Sequence, residues 1–367
     1  MRSRAIVGGP PDSGNGRVNV SETAAARRDV AGPRPGGPAP QNDLWGRIRR
    51  GAIVLGQQRE AAVFVVAVLL FAYFWLTNVN FFTKLDLINL SQIAAPIIII
   101  AIGEVFLLIC GEIDLSVGFI FTLAPFLMHY LIDFYGVPVI PAILISLLMG
   151  VAVGWFNAFF TVTMGLPSFI TTLATGFILL GIVLYTSHAE PAIPSTSLEG
   201  IGHWISTYAW AEITWAIVLT VIFHIVLTRT RWGLHTIATG GNQLGSREAG
   251  IKVARIKYGN FMITGGLGAF VGIQVALQVN DIDPSSGQYQ PMFYAVAAAV
   301  IGGTAMLGGS GTIIGAFFGS MVLAILTDGF NVAGINANVL NIIFGAAILI
   351  AMIANVQLAR LRGAGRT

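Results

Sequence analysis

The run APIIIIAIGEVFLLIC, Ala95–Cys110, decides the fold of this chain. Its apolar residues are contiguous, and the only carboxylate among them is Glu104. A transmembrane barrel strand needs apolar and polar residues in alternation, so the run reads as helix. Extended back to Leu87, it exceeds the about 20 residues that a helix needs to cross a ~30 Å hydrocarbon layer. Lipid offers no partner for free backbone N–H and C=O groups, and a helix satisfies them internally.

The same texture continues on both sides of the run. Of the 367 residues, 55% are hydrophobic and only 10% charged, with a mean hydropathy of +0.78. Soluble domains carry roughly a quarter charged residues, so a soluble fold is excluded. Ten apolar spans are read: Ala61–Thr77, Leu87–Cys110, Ser116–Phe134, Val139–Thr163, Ser168–Thr186, Ile213–Thr228, Tyr258–Gln278, Met292–Met306, Ile313–Thr327 and Val339–Val356. Gly136-Val-Pro138, Gly165-Leu-Pro167 and Gly308-Gly-Ser-Gly311 mark several of the breaks. The expected fold is an all-α membrane protein, a polytopic bundle of about ten transmembrane helices forming one domain over residues 61–356. Residues 1–43, rich in Gly, Pro, Ala and Arg without hydrophobic periodicity, read as a disordered tail. Residues 44–60 read as a basic interfacial segment and 357–367 as a short tail.

The cations orient the bundle. Residues up to Arg59 hold ten Lys and Arg, the stretch from Arg229 to Lys257 holds six, and Arg360, Arg362 and Arg366 follow the last span. These are nineteen of the twenty in the chain, the other being Lys84. Six spans separate the first two groups and four the last two, both even numbers. All three groups therefore fall on one side, which the positive-inside rule makes the cytoplasm. The expected location is a bacterial cytoplasmic (inner) membrane, with both termini inside. The formal charge of +3 does not indicate nucleic acid, because the cations flank apolar spans. The spacings Gly150-VAV-Gly154, Gly268-AFV-Gly272 and Gly311-TII-Gly315-AFF-Gly319 favour close helix–helix approach.

No catalytic set assembles. No Gly-Lys dipeptide exists, so there is no GxxxxGK[ST] loop for a nucleotide. The five histidines form no HExxH pair, no GxSxG elbow is present, and Cys110 is the single cysteine. No metal, cofactor or enzymatic activity is expected of this chain.

The loop 229–257 is the polar exception. Asn242 is placed to cap a short helix QLGSREA, and Gly250 to end it in the left-handed conformation with Ile251 as the apolar contact that follows. By charge alone it is a solvated connector; its small Ala-Gly-Ile ending also suits insertion into a cleft on a partner. GEIDLSVG (Gly111–Gly118), GLPSFITTLAT (Gly165–Thr175), GGNQLGSREAGI (Gly240–Ile251) and AAAVIGGTAMLGGSGTIIGAFFGS (Ala297–Ser320) occur in that order. Together they resemble the ribose/xylose/arabinose-type permease subunits of bacterial ABC sugar importers, over roughly Phe81 to Ala354.

That resemblance implies a homodimer in the lipid bilayer, with separate ABC ATPase subunits docked on the cytoplasmic side and a periplasmic sugar-binding protein opposite. It makes Asn242–Ile251 the segment that enters the ATPase. Ser246, Arg247, Glu248, Ala249 and Gly250 match the family's contact motif, and Leu244-Gly245-Ser246 departs from the Ala-rich start usual there. Glu112 stands where the family usually has a small residue.

Five polar positions in the spans or between two of them are candidates for the substrate pathway. Asp114 and Ser116 either cap the third span or touch substrate, with Gly111 and Gly118 allowing an unwound backbone between them. Glu104 is either functional, because an ionisable group at that depth is expensive, or close enough to the span's end to reach water. Asn157 and Gln274 either line a path or bond between helices. A secondary transporter or facilitator is the competing reading. It would couple to protons or sodium through intramembrane acids, of which Glu104 is the strongest.

Overall fold

The computed structural model describes residues 59–335 and short stretches within 339–353. The tail 1–43, most of the interfacial segment, half of the tenth span and the C-terminal tail lie outside the described residues.

Eleven helices organise residues 59–335, besides a single four-residue turn of helix at Glu199–Gly202: α1 (Arg59–Thr77), α2 (Lys84–Ile109), α3 (Val117–His129), α4 (Val139–Ala158), α5 (Ser168–Ser187), α6 (Ala211–Arg229), α7 (Arg231–Gly241), α8 (Gln243–Glu248), α9 (Val253–Val279), α10 (Gln290–Ile301) and α11 (Ile313–Val332). Eight of the helical segments are long and apolar enough to cross a membrane, and α10 is a shorter apolar helix. Single π-turns extend α3 to Phe134 and α4 to Thr163. Thr83 starts α2 three residues before the expected boundary, by accepting a hydrogen bond from the Asp86 amide.

The run that opens the sequence reading forms the central pole. Every residue of α2 from Ile97 to Ile109 is buried, as a helix apolar on all sides must be. By contrast the exposed positions of α4 between Ile140 and Phe156 are all apolar, the surface expected toward lipid. α2 and α9 pack on each other; α9 packs on α3 and α4, and α2 packs on α10 and α11.

Heights can be read along α9, whose 27 residues make a rod about 40 Å long. Its first turns lie at the end that carries α7 and α8, here called the basic end. α2 finishes at the same end, because a Cβ on Gly240 of α7 would meet the Ile109 carbonyl. From there Cys110–Ser116 climbs back unwound. Lys257 of α9 pairs with Glu112, and Gly268 sits against Val117. Val117 therefore lies roughly 22 Å along α9, fifteen residues at 1.5 Å each, and α3 begins near mid-height.

The second half of the chain makes the same excursion from the other end. After α9, residues 280–289 descend without helix. Thr122 of α3 donates to the Ser286 carbonyl, and a Cβ on Gly118 would lie 1.6 Å from the Gln288 carbonyl oxygen. α10 starts there and returns to the basic end, where the Gly309 N–H donates to the Ile109 carbonyl at 2.8 Å. The successions α2, unwound segment, α3, α4 and α9, unwound segment, α10, α11 thus run in opposite directions. The first ends of α3 and α10 meet at a waist. Discontinuous helices that meet at the midplane in inverted order are the architecture of many transporters.

Two expectations are corrected by this geometry. The span expected over Met292–Met306 is helix only from Gln290 to Ile301; the glycines at 302, 303, 308 and 309 let an irregular return loop follow, with three of them at positive φ. The loop 229–257 holds two helices where one was read, because Thr230 accepts from the Gly233 amide and starts α7.

Candidate functional site

The unwound segment Gly111–Ser116 is pinned by side chains rather than by helix bonds. Asp114 accepts from the Ser116 amide at 2.8 Å and from its hydroxyl at 2.6 Å. The Asn157 amide of α4 reaches both Asp114 oxygens at 3.3 Å and the Ser116 hydroxyl at 2.8 Å. The Leu115 amide donates to the Thr172 hydroxyl of α5 at 3.0 Å. Asp114, Ser116 and Asn157 are fully buried, and Asn157 lies two residues before the π-turn that starts at Phe159. Ser116 occupies the N-cap of α3 but makes no side-chain cap bond. Asp114 accepts from the amide of Ser116 itself, just ahead of the helix, so neither side chain bonds the first-turn amides of α3.

Glu104 closes the cluster from α2. It is fully buried, and both the backbone N–H and the carboxylate of Asp114 act on it. It is sealed from solvent. Gln274 lies elsewhere: its amide donates to the Ile205 carbonyl at 3.1 Å and ties α9 to the irregular segment before α6.

Asp114→Ala is expected to lower stability by about 1–3 kcal/mol, since the Asn157 amide and the Ser116 groups lose a buried acceptor. Asp114→Asn keeps one acceptor oxygen and should lose less. Thermal unfolding in detergent reads both, and an unchanged midpoint for Asp114→Ala would show that the cluster does not hold the segment.

The basic end carries the second group of candidates. Asn242 accepts from the Gly245 amide at 2.9 Å and starts α8, as its type and position require. α8 ends in two nested bonds, Ile251 N–H to the Ser246 carbonyl at 2.9 Å and Gly250 N–H to Arg247 at 3.0 Å, with Gly250 at φ +82°. That is the glycine stop of a Schellman turn. Arg247, Glu248, Ala249 and Gly250 are exposed, Ile251 is half-buried, and Ser246 is buried and faces the body.

A rigid strut joins this knob to the pinned segment. Asn260 of α9 donates to the Phe106 carbonyl at 3.1 Å, while its oxygen accepts from the Trp232 indole of α7 at 3.0 Å. Gly240 and Gly241 pack against the last carbonyl of α2 and against Gly309. Lys257 and Glu112 form a 2.5 Å ion pair with side chains 11% and 13% exposed, so Glu112 is held by Lys257 and does not enter the pinned cluster. These contacts link α8, through α7, to the end of α2 and the start of Gly111–Ser116. α7 and the Asn260 junction were not read from the sequence; the Thr230 cap and the placement of Gly233 were the available signals.

Residues 86–352 match the family described as branched-chain amino acid transport system / permease component. The chain belongs to this family. The permease is 35% identical to the xylose/arabinose import permease protein XylH of Sulfolobus acidocaldarius, over 80% of this chain and 84% of that one. It is 30% identical to the ribose import permease protein RbsC of Bacillus subtilis, over 75% and 86%. It is 29% identical to the autoinducer 2 import system permease protein LsrC of Salmonella typhi, over 72% and 76%. No solved structure matches. These relatives are permease components of transport systems and not enzymes, and the permease is a multi-pass membrane protein.

Proposed function

We propose that this chain is the membrane-spanning permease subunit of an ABC importer, passing a monosaccharide delivered by a binding protein and driven by separate ATPase subunits. The observation that carries the reading is the exposed, glycine-stopped helix α8, joined by α7 and Asn260 to the unwound segment at the waist. The similarity to xylose/arabinose and ribose import permeases supplies the substrate class. The basic end is then cytoplasmic, in a bacterial inner membrane, and two copies enclose the path.

In this reading Asn242–Ile251 is the ATPase handle. Arg247, Glu248, Ala249 and Gly250 make the contact, while Ser246 holds the helix to the body. Glu104, Asp114, Ser116 and Asn157 shape the pathway wall by fixing where α3 begins. A proton- or sodium-coupled transporter is disfavoured by the same cluster: Asp114 is committed to Ser116 and Asn157, and Glu104 has no open route.

Arg247→Ala combined with Glu248→Ala tests the handle. Both side chains are exposed, so the fold should hold. Removal of a central interface pair costs about 2 kcal/mol or more, roughly a 30-fold weaker association. Co-purification with the cognate ATPase and ATP-dependent sugar uptake in proteoliposomes should both fall. Unchanged co-purification would sink the handle, and uptake without ATPase that collapses with the proton gradient would replace the importer reading.

A further inference from the structure

We infer that the outward face of α10 at mid-height, built from Gln290 and Phe293 with Tyr289 and Phe177 beside them, is the surface that the sugar touches as it crosses. The inference rests on the importer reading and assigns its contact residues. Gln290 is the first residue of α10, two positions beyond the Gln288 carbonyl that abuts Gly118. It therefore stands at the waist, far from either end of the bundle, and it is exposed.

An amide facing hydrocarbon there would cost several kcal/mol. The lipid-type faces of this molecule avoid that cost, since α4 shows only apolar groups between Ile140 and Phe156. The face of α10 therefore lines water. Gln290 donates one N–H to the Tyr294 hydroxyl at 3.1 Å, which fixes its plane. Its second N–H and its carbonyl have no partner among the described residues.

The neighbouring surface is aromatic. Phe293 and Phe177 are 55% and 57% exposed, and both rings pack on Tyr289, with centroids 6.2 and 6.4 Å away. Tyr289 is itself held edge-on by Phe119 at 4.9 Å. A monosaccharide presents hydroxyl groups around its rim and C–H groups on its faces. An oriented amide beside flat, rigid rings matches both, with no charge to trap a neutral solute. The buried polar cluster around Asp114 offers no such surface, so this face is the contact and the cluster is its support.

Two measurements test this. Cys110 is the single native cysteine and is buried, so cysteines introduced elsewhere can be read directly. Gln290→Cys and Phe293→Cys should react with a membrane-impermeant methanethiosulfonate reagent, while Leu148→Cys on the α4 lipid face should not. Absence of reaction at both positions would overturn the inference whatever the protein transports. In proteoliposomes holding the full complex, Gln290→Ala and Phe293→Ala should each reduce xylose and ribose uptake about ten-fold or more at unchanged melting temperature. Gln290→Asn and Phe293→Tyr should recover part of it. Wild-type uptake that persists undiminished in the Gln290→Ala/Phe293→Ala double variant would also overturn it. A wild-type complex that carries neither sugar but passes the labelling test would instead break the substrate class of the importer reading.

Discussion

Gly118→Ala is expected to prevent a stable waist from forming. The added methyl carbon would lie 1.6 Å from the Gln288 carbonyl oxygen and 2.8 Å from its carbon. Both atoms are backbone, so no side chain can swing aside. The facing residue is equally confined, because a Cβ on Gly287 would lie 2.6 Å from the Gly118 oxygen and 2.5 Å from a Phe121 ring carbon. Gly287 also holds φ +76°, a conformation costly for any residue with a side chain. Ordinary overpacking costs about 1–3 kcal/mol because neighbours can adjust. Here α3 and the 280–289 segment would have to separate, so the loss should exceed that range. Gly181→Ala is the control: it lies in α5 with open space around its Cβ, and should be neutral or stabilising by up to about 1 kcal/mol. Detergent melting curves and the yield of monodisperse protein would distinguish the two. A Gly118→Ala protein that melts with wild type would mean the waist is looser than described.

Lys257→Met should be nearly as damaging, and for a different reason. Removing one member of this part-buried ion pair strands the other, at a cost of up to about 3–5 kcal/mol, the figure for a fully buried pair. Glu112 would then sit uncompensated at the foot of the unwound segment. Replacing both partners, Glu112→Leu with Lys257→Met, removes the stranded charge and should restore most of the stability, since well-packed apolar substitutes are often neutral or better. Melting temperatures of the wild type, two single variants and the double variant give the coupling directly. Additive losses would show that the two side chains act independently. Because the pair clips Gly111–Ser116 to α9, the double variant is expected to regain stability while its sugar uptake stays impaired.

Some of this arrangement was legible because it depends on neighbours in sequence. The cap at Asn242 and the stop at Gly250 are local events, requiring one short polar side chain and one residue free to adopt positive φ. Both were readable and both are present. The glycine spacings also carried their meaning. Gly150 sits against Gly265, Gly154 against Phe261, Gly272 against Phe121 and Gly319 against Ala298. These are backbone approaches inside one chain.

Other features were out of reach because they depend on partners more than forty positions away. Asp114 looked like a cap and is a buried junction with Asn157. Glu112 looked like a stray carboxylate and is the partner of Lys257, which had counted as one more loop cation. Gln290 fell outside the span read over Met292–Met306, and nothing in QPMFYAVAAAVI tells that its first residue lies at mid-height.

Taken by itself, the sequence determined the class of protein, eight of its helical spans and the cap of its exposed loop, and through shared motifs its family. Hydrophobic length, charge placement and capping are properties of short windows, and lipid permits few alternatives to a helix. Only the tertiary structure decided that α3 and α10 begin at the middle of the bundle, that their first ends meet at Gly118 and Gln288, and that the polar residues divide into a sealed junction and an exposed face. Those outcomes follow from backbone contact between distant segments, and no window of sequence contains both sides of such a contact.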